Sequence, residues 1–182
     1  VHLLQRPVLQ LLLAVLCILA PSTSIAVDAH LKWVEVEVAL SPEMKAMVQY
    51  KVCWNVRGGT MGGFYFQGER GDIAWNRAAC GAVVNGEKRY DLDLRDLGNR
   101  WDVLLANRQR FGPGEIIYVL TYFSNYQAAG HLIRTTAADQ QQLVAFDWAP
   151  VQWDEPLEHE TVLVEFPLIV NKAELTLEET AP

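Results

Sequence analysis

The sequence predicts an all-β protein: an antiparallel β-sandwich of about eight or nine strands, immunoglobulin-like or related, behind a signal peptide. Three observations carry this expectation. Apolar and polar residues alternate with period two through most of the chain, as they do on half-buried strands. The alternating runs are separated by turns rich in glycine, proline and asparagine. No segment after the first residues shows a helical period. Short strands in such numbers pack as two facing antiparallel sheets, and a closed barrel is the competing architecture.

The chain opens VHLLQRPVLQLLLAVLCILAPSTSIAVDAH. One basic residue, Arg6, precedes an apolar run over 9–20, and Ser24, Ile25 and Ala26 then give a small-x-small cleavage pattern. Val27, Asp28 and Ala29 offer a weaker second choice. The run falls short of the roughly 20 residues a bilayer-spanning helix needs, so residues 1–26 read as a signal peptide of an exported chain. Cys17 follows Leu16, where a lipoprotein signal wants a small residue, so lipid anchoring is not expected. The expected organisation is a leader over 1–26, a β-sandwich domain over 27–170 and an acidic, frayed tail over 171–182.

The strands follow in order. In KWVEVEVAL, Val34, Val36, Val38 and Leu40 share one face and Glu35 and Glu37 the other. SPEMK reads as a turn. MVQYKVCWNV then puts Val48, Tyr50, Val52, Trp54 and Val56 on the apolar face, with Cys53 opposite. The glycine-rich RGGTMGG leads into Phe64, Tyr65 and Phe66. AVVNGEKRYDLDL reads as a hairpin whose Asn85 and Gly86 suit a type I′ turn, because both tolerate positive φ. WDVLLA, EIIYVLTYFSNY, GHLIRTT and LVAFDW are further strands, with FGPGE as a breaker. The last is ETVLVEFPLIV, with Val162, Val164 and Phe166 on one side and Glu165 on the other.

Charge excludes some functions. Fifteen Lys and Arg stand against 22 Asp and Glu, a net charge of −7, and removing Arg6 with the leader makes the rest more acidic still. Nucleic acid is therefore not an expected partner, since phosphates require basic surface, nor is an anionic lipid face. After the leader two cysteines remain, Cys53 and Cys80. In an oxidising compartment they could form one disulfide, contributing roughly 3.5 kcal/mol through loop-closure entropy. Two free thiols are the alternative. The parity of Cys53 places any bond it makes outside the core.

The chemistry-bearing residues do not form a recognisable catalytic set. FDWAPVQWDEP, residues 146–156, holds Trp148 and Trp153 with Asp147, Asp154 and Glu155. Paired carboxylates could hydrolyse a glycoside if held about 5–9.5 Å apart, and the tryptophans could stack on sugar rings. A proline-flanked turn whose acids face water and whose tryptophans cap the core is the simpler reading. No Gly-x-Ser-x-Gly elbow exists. His30, His131 and His159 are scattered, and Glu158 and Glu160 share a strand face that His159 does not, so no metal site is expected. GGTMGG lacks the Lys-Ser/Thr ending of a phosphate-binding loop. Three consecutive aromatics cannot all point inward on a strand, so one of Phe64, Tyr65 and Phe66 should be exposed, a hint of a partner surface.

GGFYF (62–66), FGPGEIIYVLTY (111–122) and FDWAPVQWDEPLEHETVLVEFP (146–167) resemble, in turn, three elements of one family. These are a Gly-aromatic element, a Gly-x-x-x-Tyr-x-x-x-Tyr strand and a Trp, Trp-Asp-x-Pro, Val-x-Val-x-x-Pro finish. The family comprises predicted bacterial and archaeal membrane proteins of unknown function, with a signal peptide, an N-terminal extracytoplasmic β-sandwich and transmembrane helices downstream. The resemblance implies a domain at the cell surface or in the periplasm and supplies no catalytic residues. After Pro167 the longest apolar run is 168–170. Membrane association is thus expected only through a segment beyond residue 182.

The expectation is a non-catalytic extracytoplasmic domain, periplasmic, cell-surface or secreted, with an interaction or structural role at the cell envelope. No cofactor, metal or catalytic residue is expected, and the partner is an envelope protein or a glycan. The candidate ligand-binding residues are Trp148, Trp153, Asp154 and Tyr65. A carbohydrate-binding module using Trp148 and Trp153, or a secreted hydrolase using loop carboxylates, are the competing readings.

Overall fold

The computed structural model describes residues 27–167, all β apart from one 3-10 turn. The signal peptide, the acidic tail and the run 168–170 lie outside those residues. The strands are β1 (Asp28–Leu40), β2 (Ala46–Gly58), β3 (Gly63–Phe66), β4 (Ala74–Trp75), β5 (Gly81–Val84) and β6 (Glu87–Tyr90). They continue with β7 (Leu92–Asp96), β8 (Trp101–Leu105), β9 (Gly114–Ser124), β10 (Leu132–Thr136), β11 (Gln142–Phe146) and β12 (His159–Glu165). That exceeds the expected eight or nine strands, because the chain breaks at Asp91 between β6 and β7 and a short β4 joins the loop after β3.

A seven-stranded sheet runs β12-β1-β2-β9-β5-β6, with β4 beside β9. A three-stranded sheet, β3-β8-β7, faces it, and β10-β11 form a separate hairpin. The period-two reading of β1 and β2 holds: Val34, Val36, Val38, Val48, Tyr50, Val52 and Val56 are all buried. On β9, Ile116, Tyr118, Leu120 and Tyr122 continue the same inner face. On the outer face, Lys51 lies 3.0 Å from Glu37 and 3.5 Å from Glu35.

The smaller sheet closes the core with aromatic edges against aromatic faces. Phe64 meets Tyr118 at 5.1 Å between ring centroids and Phe66 meets Tyr50 at the same distance, both edge-on. This is the favoured geometry for ring quadrupoles. A Cβ on Gly63 would stand 1.9 Å from the Val103 carbonyl oxygen, so only glycine lets β3 lie this close on β8. Asn85 (φ 53°) and Gly86 (φ 79°) both take positive φ in the β5–β6 turn, as the hairpin reading requires.

Two expectations need correction. β12 pairs with β1 in parallel, whereas the other paired strands are antiparallel. As an edge strand it leaves Val162 and Leu163 exposed, with Phe166 beyond it, and only Val164 half-buried. The second correction concerns the disulfide, since Cys53 and Cys80 are free and buried. Cys53 lies on β2, Cys80 immediately precedes β5, and β9 runs between them. Two strand spacings of about 4.8 Å already separate their backbones by more than the roughly 7 Å a disulfide can bridge.

Candidate functional site

After β11 the chain crosses one end of the sandwich over residues 147–158, which contain no strand. Val151 anchors the crossing: its side chain is buried and its N–H donates to the Tyr50 hydroxyl at 3.2 Å. Trp153 packs on Phe64 and Phe66, with ring centroids 5.9 Å and 6.4 Å away. Trp148 lies nearly parallel to Tyr126 and to Phe146, at 6.5 Å and 6.4 Å. Both indoles are half-buried against the core, each on a different group of aromatic rings. Asp154 stays exposed, and its carboxylate accepts a hydrogen bond from Gln67 Nε2 at 3.1 Å.

Beneath the crossing sits a pair that the sequence did not single out. The loop QGERGDI between β3 and β4 brings Glu69 to His131, with Oε1 3.7 Å from Nε2 and side chains only 3% and 4% exposed. Gly71, at φ 84°, makes this approach possible, because a Cβ there would stand 2.8 Å from that of Ala129. His131 Nδ1 lies 2.9 Å from the Asp147 carbonyl, which can only accept. Nδ1 therefore carries a proton, and in the neutral ring Nε2 is left as an acceptor toward Glu69.

Burial is the main influence on Glu69 and pushes its carboxyl above the ordinary range. The Tyr122 hydroxyl, the His131 imidazole, the Trp148 indole N–H and Arg70 oppose that rise, in this order. Glu69 Oε1, His131 Nε2, Trp148 Nε1 and the hydroxyls of Tyr122 and Tyr126 are buried without a well-formed hydrogen bond among the described residues. Buried polar groups are normally bonded, so this cluster is an unusual feature of the interior. Its members come from three stretches of chain, at 69, 122–131 and 148, and no spacing rule links them. Two charged residues, Glu69 and Arg70, between Gly68 and Gly71 were the one local signal.

Above Glu69 a cavity of about 480 Å³ opens between the β3–β4 loop, the β7–β8 turn and the crossing. Gln67, Arg70, Asn99, Pro150, Gln152 and Asp154 line it. A second cavity of about 330 Å³ shares Gln67, Gly68, Glu69 and Asn99 with the first and extends to Asp72, Asp96, Arg100 and Trp101. The two form one trough along the end of the sandwich.

Of the candidate ligand-binding residues, Asp154 alone lines this trough, and His131, named among the scattered histidines, lies at its floor. Tyr65 is 52% exposed, as one of its aromatic run had to be, and the Arg100 guanidinium covers one ring face at 3.8 Å. Asp147 and Glu155 are exposed and line neither cavity. His30 lies 3.5 Å from Glu158, and His159 stacks on Trp33, so neither approaches His131 through a shared contact. No group of three or more His, Cys, Asp or Glu that could hold a metal ion occurs among the described residues.

The thiols sit in different surroundings. Burial pushes Cys53 up to about 11, with Glu115 adding to it and Lys32 opposing. Cys80 is raised by burial and accepts the Thr121 N–H at 3.3 Å. Neither is a ready nucleophile.

No family model matches the chain, and no curated protein sequence matches it. Among the solved structures that overlap part of it are an M1 zinc metallopeptidase from Deinococcus radiodurans and a two-domain M1 zinc metallopeptidase mutant bound to L-arginine. Each is 12% identical, with a TM-score of 0.36 over 53% of this chain and 20% of the peptidase. The overlap thus spans a fifth of those chains, at a likeness too low to assign this one a fold or an activity.

Proposed function

We propose that this chain is a non-catalytic extracytoplasmic domain that acts by docking an envelope protein. One observation supports this above the rest: the fold leaves a hairpin and an edge strand with exposed apolar side chains. Val144, at 53% exposure, lies on the same face of the β10–β11 hairpin as Phe146. Val162 and Leu163 are exposed on β12. Phe146 and Phe166 touch edge-on at 5.9 Å and join the two elements into one surface. Contiguous exposed apolar surface of this kind marks interaction sites, and an edge strand offers its unpaired backbone to an incoming strand.

The occupant that fits is an extended protein segment carrying alternating apolar and basic residues. Glu158, Glu160 and Glu165 flank the apolar positions of β12 and supply the complementary charge. Glycan binding through Trp148 and Trp153 finds less support, because both indoles are packed onto core aromatics. Export, inferred from the leader, places the partner in the cell envelope.

Hydrogen exchange tests the proposal. Added envelope membrane proteins should protect the β12 amides, and Leu163→Asp should abolish that protection while leaving the thermal midpoint unchanged. Unprotected β12 amides, or a hydrolase activity lost on Asp154→Ala, would overturn it.

A further inference from the structure

We infer that the trough at the end of the sandwich is a binding site for a neutral saccharide, independent of the hairpin-and-edge surface. Three facts carry this. The first is the chemistry of the lining: Gln67, Asn99 and Gln152 each present an amide, next to the Asp154 carboxylate and the Arg70 guanidinium. An amide donates and accepts side by side, which matches a sugar hydroxyl that does both. Asp154 accepts from the neutral Gln67 amide and keeps its charge, so with Arg70 these lining residues present one charge of each sign and favour no net charge on a ligand. Pro150 and Ala149 add a small apolar patch, suited to the C–H face of a pyranose ring.

The second fact is size. Cavities of about 480 Å³ and 330 Å³ that share four lining residues accommodate an oligosaccharide better than a single ring. The third is that the walls are fixed before any ligand arrives. Gln67 ties the β3–β4 loop to the crossing through Asp154, and Val151 ties the crossing to Tyr50. Asp147 exchanges hydrogen bonds with His131, its N–H donating to the His131 carbonyl at 2.8 Å and its carbonyl accepting from Nδ1 at 2.9 Å. A preformed site loses less to ordering on binding. The sealed oxygen and nitrogen of Glu69 and His131 cannot touch a ligand, so this pair positions the floor.

The experiment uses calorimetry and tryptophan fluorescence, with Trp101 and Trp153 beside the trough as reporters. The probes are neutral trisaccharides of glucose, galactose, mannose and N-acetylglucosamine, together with glucuronic acid and alanylalanine. At least one trisaccharide should bind saturably. Asn99→Ala and Gln152→Ala, both at exposed positions, should each weaken it by about tenfold, the worth of roughly one good hydrogen bond. The thermal midpoint should not move, and Leu163→Asp should bind as the parent does, which separates this result from the docking surface. Failure of every trisaccharide to bind would overturn the inference. So would binding that ignores both alanine variants, or binding confined to the charged probes.

Discussion

Glu69 shows how one buried group ties stability to pH. Its folded pKa lies above its unfolded value of about 4.3, because burial penalises the carboxylate. The folded state therefore holds this proton more tightly than the unfolded chain does. The stability this contributes is fully present below the unfolded pKa and is lost as pH rises through the folded one. Glu69→Gln keeps the shape and removes the titration. Thermal midpoints measured across mildly acidic to neutral pH should fall less in the variant than in the parent as pH rises. Gly63 makes a steric point at the same scale. Gly63→Ala would push β3 off the Val103 carbonyl and should cost roughly 1–3 kcal/mol in urea unfolding.

Among the elements, the crossing over residues 147–158 and strand β12 behave differently from the sheets they join. The crossing is held by side chains, with Val151 and the two indoles as its pegs. Trp153→Ala should cost about 2–3 kcal/mol, toward the low end for aromatic truncation because the indole is half-buried. Denaturant unfolding would read this, and an unchanged midpoint would mean the indole is not a peg. The period-two pattern of ETVLVEF is the same as that of KWVEVEVAL, yet one is a bare edge and the other is in the core. Alternation reports which residues share a face and not what covers that face. The polar trough was legible only at Asp154. Gln67, Asn99 and Gln152 meet from three separate loops, and amides in turns carry no signal of convergence.

Among the described residues, the core between two sheets must supply stability without a disulfide. Addition of a reductant should leave the thermal midpoint where it was. Cys53 and Cys80 are buried with raised pKa values, so both should resist a thiol-specific reagent in the native protein and react once it is unfolded. A midpoint that drops on reduction would contradict the strand order β2-β9-β5.

By itself the sequence determined the all-β class, the inner faces of β1 and β2, the turn at Asn85-Gly86 and the exposure of one of Phe64, Tyr65 and Phe66. These are local properties: side-chain parity along a strand and the φ preference of a turn residue act over a few positions. Only the tertiary structure decided that β12 lies parallel to β1 and that β9 separates the cysteines. It alone brought Glu69 under the crossing to His131, beneath a trough of amides. Strand order and the meeting of distant loops come from burying many apolar faces at once, a sum over the whole chain that no single stretch records.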